Sequence, residues 1–91
     1  HSGAASVCFK LWQVAGHGPD HATLTLDLPD GEGGFPGNRR VTARFSARAP
    51  ATLRMDVTTT TDRATPVNFT NHGYWNLDGT AGWQGHALRI A

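Results

Sequence analysis

Arg40-Val41-Thr42-Ala43-Arg44-Phe45-Ser46-Ala47-Arg48 alternates strictly between polar and apolar side chains. Side chains of a strand point to opposite faces with a period of two. Val41, Ala43, Phe45 and Ala47 therefore share one face, and Arg40, Thr42, Arg44, Ser46 and Arg48 share the other. The same run wound as a helix would scatter its apolar residues around the circumference, so it reads as a half-buried β-strand. The pattern recurs on both sides. In residues 21–28, Leu24, Leu26 and Leu28 oppose Thr23, Thr25 and Asp27. In residues 53–61, Leu53, Met55 and Val57 alternate with Arg54, Asp56 and Thr58 and run into Thr59, Thr60 and Thr61, whose β-branched side chains favour a pleated surface. Two further strands are expected: residues 7–14, apolar on both faces, and residues 86–90. Turn chemistry separates the runs at Gly16-His17-Gly18-Pro19-Asp20, at residues 29–38 and at Ala49-Pro50. No stretch of about ten residues keeps a helical apolar stripe free of Gly or Pro, so the fold class is all-β and antiparallel, with the strand spacing of a sandwich.

The chain has 91 residues, less than one typical domain, which excludes separate cofactor and substrate lobes. A chain of this size buries only about 60 to 65% of its extended surface, so its core is thin. One cysteine, Cys8, allows neither an internal disulfide nor a cysteine-based zinc knuckle. Eight Lys and Arg against seven Asp and Glu leave a net charge of +1, far from the basic excess that nucleic acid selects. No apolar stretch approaches the length of a membrane helix. The chain opens at His1 without an initiator Met or a signal sequence, and is expected to be an excised internal segment.

Several constellations invite a functional reading. Asp30-Gly31-Glu32-Gly33-Gly34-Phe35-Pro36-Gly37-Asn38 has the glycines of an anion-binding loop, but no Gly-Lys-Ser/Thr follows, and Pro36 stands where a dinucleotide fingerprint needs its third Gly. An ordered interstrand loop is the better reading. His17 and His21 have a metal-site spacing only on a helix, and Gly18-Pro19 between them breaks one. The serines lack a nucleophile elbow. Asn68-Phe69-Thr70 fits a glycosylation acceptor, a tripeptide common by chance. Arg40, Arg44 and Arg48 make a solvated strand face.

Residues 65–77 are richer. Thr65-Pro66-Val67-Asn68-Phe69-Thr70-Asn71-His72-Gly73-Tyr74-Trp75-Asn76-Leu77 combines three amides, a histidine, a tyrosine and a tryptophan just before a second loop, Asp78-Gly79-Thr80. Amides donate to and accept from hydroxyls, aromatic faces pack the C–H side of a sugar ring, and imidazole exchanges a proton near neutral pH. These are the parts of a carbohydrate pocket. They also suit a structural histidine among packed aromatics, and residue types alone leave both readings open.

At this segment the sequence resembles the aldose 1-epimerase family, the galactose mutarotases. Asn68-Phe69-Thr70-Asn71-His72-Gly73-Tyr74-Trp75-Asn76-Leu77 is similar to the family's Asn-Leu-Thr-Asn-His-x-Tyr-Phe-Asn-Leu signature. Residues 29–38 resemble its Asp-Gly-x-x-Gly-Phe-Pro-Gly loop, and His86-Ala87-Leu88-Arg89-Ile90-Ala91 resembles its His-x-Leu-x-Ile-x-Ala continuation. His1-Ser2-Gly3 with Trp12 keeps the register of the family's His-Gly-Gly segment, while Ser2, Ala4, Ser6 and Cys8 depart from it. The resemblance covers essentially the whole chain and an internal portion of the family's longer domain. It implies that residues 1–91 form part of one antiparallel β-sandwich of the galactose mutarotase type.

The implied reaction interconverts the α and β anomers of a free aldohexose such as galactose or glucose, without metal or other cofactor. A proton reaches the ring oxygen while another group removes the C1 hydroxyl proton, and rotation about C1–C2 precedes closure. By motif match His72 is the general acid, and Tyr74, Gly73 and His1 contact the sugar. The family's base is a Glu beyond Ala91, and the chain's only Glu, Glu32, matches no base motif. The implied partner is a monosaccharide, with no nucleic acid and no membrane. Two alternatives stand beside this reading: a hexose-6-phosphate 1-epimerase, which would want cations near His72, and a non-catalytic carbohydrate-binding β-sandwich. Edges left open by missing strands predict low stability or self-association for the chain alone.

Overall fold

The computed structural model describes residues 3–90. Among them four strands form one antiparallel sheet in chain order: β1 (Gln13–His17), β2 (His21–Leu28), β3 (Arg39–Arg48) and β4 (Thr52–Thr61). The fold is all-β, one open sheet of a partial sandwich, and among the described residues the only helical pieces are three-residue 3-10 turns. The three alternating runs of the sequence are its three long strands, with ends within a residue of the sequence reading. The 7–14 strand is not formed as expected. Val7–Phe9 is a 3-10 turn capped by Ser6, whose hydroxyl accepts from the Cys8 N–H at 3.3 Å, and extended structure starts only at Gln13. Trp12 closes this segment by donating its indole N–H to Val7 O at 3.1 Å. Apolar residues on both faces signalled burial there, but Phe9 is 83% and Leu11 96% exposed, and the segment rests on the core only through Val7 and Trp12. Residues 86–90 are also not a strand, since no described strand pairs with them.

Register follows from the side-chain pattern. Leu26, Val41 and Thr59 lie in one row across β2, β3 and β4, and Leu24, Ala43 and Val57 in the next. A shift by one residue would turn every one of these side chains to the opposite face. Leu26, Leu28 and Val41 form the buried cluster, with Val7, Trp12, Val57 and Phe69 packed against it. Burial of each such aliphatic side chain contributes about 1.5–3 kcal/mol. The opposite face carries Asp27 against Arg40 and Asp56 against Arg44, as water-facing pairs should. Two positions break the alternation: Ser46 is buried and Ala47 exposed near the end of β3. β1 departs from regular pairing between Val14 and Gly16, a bulge that shortens this edge strand.

The loop between β2 and β3 is closed on itself. Asp30 Oδ1 accepts from the Gly37 N–H at 2.6 Å, and Asn38 Oδ1 accepts from the Asp30 N–H at 3.1 Å. Asn38 then donates its backbone N–H and its amide to the two carboxylate oxygens of Asp62, at 2.8 and 2.7 Å, which ties the loop to the end of β4. Gly37 is buried with φ +84°, and a Cβ there would stand 2.7 Å from Thr61 Oγ1. This is the ordered interstrand loop expected from its turn residues.

Candidate functional site

After β4 the chain turns back across the apolar face of the sheet. Phe69 packs against the Leu26, Leu28 and Val41 cluster, and this anchor fixes where the following residues emerge. Three residues on, His72 is exposed at the rim of a cavity of about 270 Å³. The sheet supplies its floor through Leu24, Ala43, Phe45 and Met55, and the N-terminal segment supplies Cys8 and Trp12 to its wall. Thr70, Asn71 and His72 bring polar groups to an otherwise apolar hollow. Two stretches far apart in sequence, residues 7–12 and 69–72, thus converge on one face because both rest on the same core.

The local conformation at His72 is set by its neighbours. Asn71 Oδ1 accepts from the Gly73 N–H at 2.8 Å, a side-chain turn that bends the backbone around the histidine. That same oxygen lies 2.7 Å from where a Gly73 Cβ would stand, so a larger residue would displace the Asn71 side chain and its hydrogen bond. Tyr74 lies beside His72 with ring centroids 5.3 Å apart and planes tilted by 59°. Trp83 in turn stacks on Tyr74 at 5.1 Å, with planes 21° apart. His72, Gly73 and Tyr74 are therefore together, all on the exposed side of the anchor. His1 lies outside the described residues.

Glu32 is engaged elsewhere. Its carboxylate pairs with Lys10 and joins the glycine-rich loop to the N-terminal segment. No carboxylate and no cation is among the described residues lining the cavity at His72. The described residues also hold no cluster of three or more His, Cys, Asp or Glu side chains that could bind a metal ion, and no helix long and apolar enough to cross a membrane. His21 sits 2.8 Å from Asp20, and that hydrogen bond holds the Asp20 carboxyl below its ordinary range.

Two features escaped the residue pattern. Arg39 has the same strand parity as Val41, so it points into the apolar face, where it is 6% exposed. Its guanidinium donates to Gly37 O at 3.2 Å, Pro29 O at 3.2 Å and Glu32 O at 3.0 Å, and lies 5.4 Å above the Phe35 ring. Parity with Val41 was the available signal. Trp83 had none, because only the course of the loop after Tyr74 brings the two rings together.

A family model described as Aldose 1-epimerase matches residues 1–91. An aldose 1-epimerase of Escherichia coli is 32% identical over 91 residues, covering 99% of this chain and 26% of that protein. The galactose mutarotase of Homo sapiens is 34% identical over 83 residues, covering 89% of this chain and 23% of its own length. An aldose 1-epimerase of Haemophilus influenzae is 29% identical over 69 residues, 76% of this chain and 20% of that protein. The chain thus spans about a quarter of the length of these relatives. No solved structure matches it.

Proposed function

The chain belongs to the aldose 1-epimerase family, and from that premise we propose that it is part of one longer epimerase domain that interconverts the α and β anomers of free hexoses such as galactose and glucose. The names of its relatives support an isomerase acting on sugars. The observation that carries the finer reading is the pairing of His72 with Tyr74, centroids 5.3 Å apart, at the rim of a cavity.

In this reading His72 delivers a proton to the ring oxygen as the bond from C1 to that oxygen breaks. A base removes the C1 hydroxyl proton, and the electron pair left on that oxygen forms the aldehyde. Rotation about C1–C2 and the reverse proton transfers close the other anomer. Imidazole both gives and takes a proton, which suits both directions. Gly73, Tyr74 and His1 contact the sugar. The base belongs outside this chain, since Glu32 is held by Lys10 and no carboxylate is among the described residues lining the cavity. No cation is among the described residues lining that cavity, which supports a free hexose over a phosphorylated one.

The test is anomer exchange of freshly dissolved α-galactose, followed by NMR or polarimetry in the full-length protein and its His72→Asn variant. The variant is expected to lose about 100- to 10,000-fold in rate, the usual contribution of a general acid. Equal rates would remove His72 from that role. The 91-residue chain alone is expected to give little acceleration over buffer. Sugar binding without exchange in the full-length protein would favour a non-catalytic carbohydrate-binding module.

A further inference from the structure

The glycine-rich loop between β2 and β3 meets the N-terminal segment at two points. Gly33, with φ +67°, comes so near that a Cβ there would stand 3.2 Å from the Ala5 Cβ. Beside it the Glu32 carboxylate takes the Lys10 ammonium as its partner, and the two side chains are only 24% and 26% exposed. Among the described residues, this ion pair is the one polar contact that leaves the segment. The other hydrogen bonds of residues 3–12 stay inside it: the N–H groups of Ser6, Phe9 and Lys10 donate to Gly3 O, Ser6 O and Val7 O, the Cys8 N–H to Ser6 Oγ, and the Trp12 indole to Val7 O. The segment otherwise rests on the core through Val7 and Trp12, and apolar contacts of that kind are non-directional. Glu32 is the fixed half of the pair. Its backbone N–H donates to Pro29 O at 3.2 Å, and its carbonyl accepts from the Phe35 N–H at 3.3 Å and from the Arg39 guanidinium at 3.0 Å. Arg39 is buried on β3, the strand that lays Val41, Ala43 and Phe45 under the cavity at His72. Lys10 is the dependent half, two residues from Cys8 and two from Trp12, which wall that same cavity.

We propose that Lys10 and Glu32 are positioning residues for the sugar site, a clasp that locks the wall formed by Cys8 and Trp12 to the frame of β3, so that this wall and His72 face one substrate at a fixed separation. The inference rests on reading the His72 cavity as a sugar site. Neither Lys10 nor Glu32 lines that cavity, so both act through the wall. A wall held in place is ordered before the sugar arrives. Once released, it has to be ordered by the sugar itself, and that cost emerges as weaker substrate binding with the chemical step largely intact.

The experiment uses the full-length protein with galactose as the probe, and the variants Glu32→Gln, Lys10→Met, the two combined, and Lys10→Arg. Glu32→Gln and Lys10→Met are each expected to raise KM about fivefold with kcat within about twofold, and the combined variant to lose no more than either alone, since both remove one contact. Lys10→Arg keeps the cation and should stay near the wild type. Glu32→Gln preserves the shape of the side chain, so it decides if Lys10→Met fails to fold. Amide exchange should quicken across residues 3–12 in Glu32→Gln and keep its wild-type rates in β2 and β3. An unchanged KM or unchanged amide exchange in Glu32→Gln overturns the clasp. So do losses that add in the combined variant, a loss confined to kcat, or a Lys10→Arg variant as impaired as Lys10→Met. If the wild type binds galactose without exchanging its anomers, the mutarotase reading fails, and the Kd of the same variants replaces KM in deciding on the clasp. A wild type that neither binds nor exchanges removes both.

Discussion

Arg39 is a cation buried on the sheet face of Leu28 and Val41. Three backbone carbonyls and the Phe35 ring compensate it, and each of those carbonyls belongs to the loop between β2 and β3. Replacement by an apolar residue of similar bulk, Arg39→Leu, would leave these acceptors without donors. A buried group stripped of its partner costs about 1–3 kcal/mol, so the unfolding midpoint in denaturant should fall accordingly. Amide exchange should quicken across residues 30–38. Arg40→Leu is the control. Arg40 lies on the exposed face, paired with Asp27, and its loss should leave the midpoint nearly unmoved. At this scale the candidate site was only partly legible. His72 and Tyr74 stand out by type within residues 65–77, since imidazole and phenol side by side are chemically conspicuous. Trp83 does not, because its relation to Tyr74 is made by a folded loop and by no spacing along the chain.

Among the elements, β3 is decisive, for it pairs on both sides and carries Val41, whose exposure is 0%. The loop that feeds it depends on Gly37. With φ +84° and Thr61 Oγ1, Arg63 Cβ and Asp62 Oδ1 all within 3.1 Å of an ideal Cβ, Gly37→Ala combines left-handed strain with overpacking. The two effects together cost about 2–4 kcal/mol, which calorimetry or a urea titration would register as a large drop in stability. An unchanged midpoint would mean that the loop is not tied to β4 as described. Three long strands could be read directly, because each buries one face and the alternation of leucine and threonine, or of valine and arginine, records that face. Residues 7–14 could not. Apolar residues on both faces leave no period of two, Phe9 and Leu11 stay exposed, and the Ser6 cap that decides in favour of a turn is a hydrogen bond of one hydroxyl.

The whole molecule carries its acidic side chains as hydrogen-bond acceptors near the surface. Asp62 is held below its ordinary range by Asn38, Asp78 by Thr80, Asp27 by Arg40 and Asp56 by Arg54. Each carboxyl is more acidic folded than unfolded. Its contribution is complete above the unfolded pKa of about 3.9 and disappears as pH falls through the lower folded value. The thermal midpoint of the chain should therefore be flat from about pH 8 to about pH 5 and decline below about pH 4. A midpoint that stays level well below pH 4 would contradict this account. A different consequence lies in the order of the sheet, β1-β2-β3-β4. Every pairing joins neighbours in the chain, so each new strand finds its partner already beside it, and little loop entropy is lost at any step. The floor of the site can be complete once residue 61 has joined. Phe69 then arrives at a finished surface, and the position of His72 is cast by a template assembled before the histidine reaches it.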